Sequence, residues 1–243
     1  MTGRNLAVMD PGIPSRSGPD FAPPEELFSR IRASVEASPA STTSTRVRVA
    51  AALAAVPCLT AAVVLLGSQI MYQRPTAALL HVSQAPVHYL LVLLLLAGLT
   101  LVATLVAVRR GAHGLGSAAV SLIMMAALVA PIYFLLSLAS PLHADHPVAA
   151  SVVSPWGIRC LAVAAVAGVI VLGCLAGALR GSVPVASGLR GAALGAAAGA
   201  WAGLGVYFFC PGGAVAHLLV GHLLPIAAFT LLGALVLPRA LRP

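Results

Sequence analysis

YLLVLLLLAGLTLVATLVAV, residues 89–108, contains no Asp, Glu, Lys or Arg. An apolar run of about 20 residues is what an α-helix needs to cross the roughly 30 Å hydrocarbon core of a bilayer. His88 stands before it and Arg109-Arg110 close it. Five further runs of similar length follow the same pattern, separated by short polar or Gly/Pro breaks: Val49–Ile70, Ala118–Ala139, Ile158–Leu179, Gly191–Phe209 and Leu218–Leu237. The composition agrees. Of 243 residues, 60% are hydrophobic and 8% charged, whereas a soluble domain carries roughly 25% charged residues. So few charges cannot cover a water-facing surface. The expected fold is all-α: an integral membrane bundle of six transmembrane helices over residues 49–243, preceded by a short, largely disordered cytoplasmic tail over residues 1–48. The first apolar run begins near Val49, too far along the chain for a cleavable signal peptide.

Arginine placement orients the bundle. All 14 basic residues are Arg, and the formal charge is +8. With the amino terminus inside, the inner face receives Arg30, Arg32, Arg46, Arg48, Arg109, Arg110, Arg180, Arg190, Arg239 and Arg242, and the outer face Arg74 and Arg159. This bias predicts both termini in the cytoplasm. The arginines stand singly or in pairs beside apolar runs, away from aromatic clusters, which is the pattern of topology signals and argues against direct nucleic-acid binding.

The tail holds five of the six acidic residues, Asp10, Asp20, Glu25, Glu26 and Glu36, and is rich in Pro, Ser and Thr. Within it, residues 24–37 read as a short amphipathic helix. Pro24 suits the first helical position and Glu25 and Glu26 the positive helix start. Leu27, Phe28, Ile31 and Val35 fall on one face, and Pro39 ends the run. About four turns are marginal in isolation and need a partner or a membrane surface. The outer loops are too short to form domains, so contact with a soluble protein is expected through this tail.

No span contains an acidic residue, which counts against a proton- or ion-coupled transporter. The chain lacks a Walker loop, HExxH and GxSxG, so neither an enzyme nor a cofactor is expected. His222 lies inside the sixth run, three residues before the kink-permitting Pro225. It can be a proton or metal sensor, or a neutral imidazole hydrogen-bonded to a neighbouring helix. In the second outer loop, His143, Asp145 and His146 could form a weak metal site or reflect ordinary loop polarity. Cys160 opens the fourth run and Cys210 closes the fifth, at matching depths. They could form an external disulfide or serve as small packing residues. Gly191, Gly195, Gly199 and Gly203 recur every four residues along the fifth run, a stripe that lets another helix approach closely. That helix can belong to the same chain or to a second copy in a homodimer. Pro131 predicts a kink in the third run.

The plan resembles that of the NrsF-like membrane anti-sigma factors, which pair a short cytoplasmic amino-terminal region with six spans. Two stretches carry the resemblance. The first is Pro23-Pro24-Glu25-Glu26-Leu27, running into Arg30 and Ile31. The second comprises Cys210-Pro211, His217 and Gly221-His222-Leu223-Leu224-Pro225, with Phe209 where the family pattern has a polar residue. The resemblance implies a bacterial inner-membrane protein whose tail, through Leu27, Phe28, Ile31 and Val35, sequesters an extracytoplasmic-function sigma factor. An envelope signal would then release it, with Cys160, Cys210, His217 and His222 as candidate sensing residues. A small transport or channel protein and a structural bundle are the alternatives.

Overall fold

The computed structural model describes residues 25–26, 28–30, 33, 42–72, 86–109, 115–139, 155–180, 186–208, 210 and 214–240. The chain divides into two units, Met1–Thr42 and Thr43–Pro243. In the first, Glu25, Glu26, Phe28, Ser29, Arg30 and Ala33 are helical. Ser29 Oγ donates to the Glu26 carbonyl (2.9 Å), and Arg30 pairs with Glu26 at 3.0 Å, one helical turn apart. Phe28 is 59% exposed. Leu27, Ile31 and Val35 lie outside the described residues.

The second unit is a helical bundle. Its elements are α1 (Thr42–Tyr72), α2 (Pro86–Val108), α3 (Leu115–Leu138), α4 (Pro155–Leu179), α5 (Ser187–Tyr207), a short α6 (Val215–Leu218), a π-turn (Leu219–Leu223) and α7 (Leu224–Ala240). Among the described residues, five stretches are long and apolar enough to cross a membrane: Val47–Gly67, Val87–Val108, Ala119–Leu138, Gly157–Leu179 and Val215–Arg239. α1 starts upstream of Val49 because its helix runs on past the apolar stretch into a polar turn that includes Arg46 and Arg48. Pro57 and Pro131 are taken up inside continuous helices.

α5 differs from the expected fifth apolar span in kind. It is a 21-residue helix, yet it is not among the five stretches apolar enough to cross a membrane by composition. Glycine and alanine dominate it, and every residue from Gly191 to Ala200 is buried. The bilayer-facing leucines and valines are carried instead by the helices around it, with Leu91, Leu94, Val120, Leu135, Val166, Leu231 and Leu235 all exposed. A helix enclosed by α2, α3, α4 and α7 needs small girth more than hydropathy, because close packing drives helix association where lipid removes the hydrophobic difference.

The glycine stripe shows where that girth is used. A Cβ on Gly191 would run into the Gly233 carbonyl, and one on Gly195 into the Phe229 carbonyl. At Gly199 it would stand 2.6 Å from Ile226 Cα, and at Gly203 2.9 Å from the Tyr133 ring. Gly233 answers from the other side, against the backbone of Gly191 and Gly195. The stripe therefore receives α7 and Tyr133 of the same chain. A second copy could reach it only after α7 had left.

Three threonine hydroxyls are held locally. Thr100 Oγ1 donates to Leu96 O, Thr104 Oγ1 to Thr100 O and Thr230 Oγ1 to Ile226 O, each at 2.7 Å, the back-bonding that satisfies hydroxyls within helices. Trp201 Nε1 of α5 donates to Thr104 Oγ1 of α2 at 3.0 Å. At one end of the bundle, arginines cap neighbouring helices. Arg48 Nη1 donates to the Arg180 carbonyl (3.2 Å) just beyond α4, and Arg190 Nη2 to the Arg109 carbonyl (3.3 Å) just beyond α2. A cation at a helix carboxyl end meets the negative pole of its dipole.

Candidate functional site

The opposite end of the bundle gathers two cysteines and two histidines. Cys160 lies in the first turns of α4, and Cys210 follows α5, its amide still bonded to the Val206 carbonyl at 3.0 Å. His217 belongs to α6, and His222 to the π-turn. All four are buried, at 1%, 4%, 1% and 0% exposure in that order.

The π-turn is the local device that brings the two histidines together. Pro225 has no amide hydrogen, and its ring would collide with the carbonyl four residues back in a regular helix. Widening the backbone by one residue relieves that conflict, and Leu224 N–H accordingly donates to Leu219 O. In an α-helix, residues five apart overshoot a full turn by roughly 140°. With the extra residue absorbed, His217 and His222 come side by side, ring centroids 5.7 Å apart and planes at 57°. Sequence reading anticipated a kink at Pro225. It could not say that the kink would align these two rings.

Gly221 completes the arrangement. A Cβ there would lie 3.1 Å from Cys160 Cβ and 3.7 Å from His217 Nε2, so glycine leaves space for the α4 thiol. Cys160 Sγ and Cys210 Sγ, both thiols, stand 3.4 Å apart. Cys210 Sγ and His217 Nε2 are 2.7 Å apart. One donor atom from each of Cys160, Cys210, His217 and His222 lies within 4.8 Å of every other. The apolar surround includes Val64, Val163, Ala164, Ala167, Ala202 and Val206. Tyr207, close to Cys210 in the chain, stacks on Tyr89 of α2, centroids 5.7 Å apart at an interplanar angle of 10°.

The resemblance grouped Cys160, Cys210, His217 and His222 as candidate sensing residues, whereas spacing alone pairs Cys160 with Cys210 and leaves His222 apart. The structure joins all three with His217. The signal that could have joined them is the string His217-Leu-Leu-Val-Gly-His222 running into Pro225, because a proline at that distance favours a widened turn. His143, Asp145 and His146 lie outside the described residues. The four stripe glycines sit along α5, within the bundle.

A family model described as "NrsF: Negative regulator of sigma F" matches residues 33–242. That range takes in every described helix of the bundle and the whole Cys/His cluster. Among curated proteins and among solved structures, nothing matches.

Proposed function

This chain belongs to the NrsF family, negative regulators of a sigma factor; from that premise we propose that it holds its sigma factor with the amino-terminal arm and keeps it at the cytoplasmic membrane face. The family match establishes a membrane-anchored anti-sigma factor and excludes an enzyme. The arm reading goes further and has its own support. Residues 25–32 precede the matched range, so the reading rests on the arm itself: the described arm residues are helical and exposed, and Phe28 offers a large apolar ring to water. An amphipathic helix laid into an apolar groove, with anchors Leu27, Phe28, Ile31 and Val35 one turn apart, is a familiar recognition mode. Coupling its folding to binding keeps the contact reversible.

The same proposal takes α5 as a sixth crossing, bringing both termini to one side. The caps Arg48 on Arg180 and Arg190 on Arg109 support this. They bring the start of α1, the end of α2, the end of α4 and the start of α5 to one face, and that face carries the arginine excess expected of the cytoplasm. Cys160, Cys210, His217 and His222 then lie toward the envelope side, where a signal would be received.

The test is removal of residues 1–40. The truncated chain is expected to insert normally, lose co-purification with the sigma factor and raise transcription from that factor's promoters. Retention of the sigma factor by the truncated chain would overturn the assignment to the arm.

A further inference from the structure

We propose that Cys160, Cys210, His217 and His222 form a tetrahedral site for a divalent, thiophilic d10 cation of the zinc class. Three observations point there. The donor set is two thiols and two imidazoles, the S2N2 combination that suits zinc. The donors converge from three separate places, the start of α4, the stretch after α5, and the α6/π-turn segment. Around a tetrahedral ion with bonds of about 2.0–2.3 Å, donor atoms stand roughly 3.3–3.8 Å apart. The observed separations of 3.4 Å, 2.7 Å and at most 4.8 Å bracket that range, so rotamer adjustments suffice.

Charge chooses the ion. The cluster is at most 4% exposed, and net charge is costly there. Two thiolates and two neutral imidazoles around a divalent cation sum to zero. A monovalent ion would leave one negative charge in the apolar surround. Binding releases two thiol protons and ties the beginning of α4 to the α5–α7 connection. A disulfide between Cys160 and Cys210 would remove both thiolates, so metal and disulfide exclude each other.

The experiment uses the full chain, reduced and metal-free in detergent, titrated with Co2+ as a spectroscopic probe and then with Zn2+. The expected result is one Co2+ per chain, intense visible bands of tetrahedral cobalt, a near-ultraviolet sulfur-to-cobalt charge-transfer band, and loss of all of them as Zn2+ displaces cobalt. Cys160→Ser, Cys210→Ser, His217→Gln and His222→Gln should each weaken binding by about tenfold or more. Cys58→Ser and Cys174→Ser, outside the cluster, should leave the spectrum unchanged and show that thiol loss alone does not unfold the protein. A wild-type chain that stays helical but takes up no cobalt would overturn the proposal. So would cobalt binding that persists in the Cys160→Ser/Cys210→Ser double variant.

Discussion

Single side chains in this bundle are constrained by distance more than by chemistry. Gly199→Ala places a methyl group 2.6 Å from Ile226 Cα, backbone that cannot swing aside, and is expected to destabilise the fold by about 1–3 kcal/mol. Gly98 offers the comparison, because a Cβ there meets nothing within 4 Å. Gly98→Ala should be neutral or gain up to about 1 kcal/mol from helix propensity. Unfolding by added denaturing detergent, followed by circular dichroism, measures both. Thr104→Val removes the acceptor for Trp201 Nε1, and interhelical bonds of this kind contribute about 0.6 kcal/mol in membranes. A small loss is therefore expected by the same assay, and a loss several times larger would mean that the contact is part of a wider network. The exposed Arg30–Glu26 pair is expected to matter little, as surface ion pairs do.

At the scale of elements, the proposals rest on the arm and the π-turn. Phe28→Asp puts a charge on the proposed binding face and should reduce affinity for the sigma factor at least about tenfold, some 1.4 kcal/mol, without altering membrane insertion. Equilibrium binding with a peptide spanning Asp20–Pro39 and its variant checks this. Pro225→Ala removes the reason for the widened turn. The segment is expected to revert toward regular helix, turning His222 away from His217 and weakening cobalt uptake with all four donors still present in the sequence. These elements also mark where sequence reading stopped. The apolar runs showed where the bundle helices lie, and the spacing of Gly191, Gly195, Gly199 and Gly203 showed a close helix approach. Neither could name the occupant, because Gly233 is a single glycine on α7 with no repeat to announce it. The cluster was legible only in parts. Cys160 and Cys210 matched in depth, but the meeting of His217 with His222 depends on one extra backbone residue in a turn, which side-chain periodicity does not record.

For the whole molecule, topology is the decisive question. Single cysteines placed at Asp10 and near Arg242, in a background lacking the four native cysteines, are expected to react with membrane-impermeant maleimide only after the cytoplasmic face is opened. A cysteine in place of Ala78 should react in intact spheroplasts. Labelling of the two termini from opposite sides would mean an odd number of crossings and would remove the shared face for the arm and the carboxyl end. The enclosed position of α5 has a consequence during synthesis as well. A slender segment of glycine and alanine bearing Arg190 is a poor candidate to leave the translocon alone. It should linger there until the following hydrophobic stretch emerges, and the two should partition into lipid as a hairpin. A nascent chain stopped after Gly213 would leave that hairpin half made, exposed to membrane proteases and destined for rapid turnover.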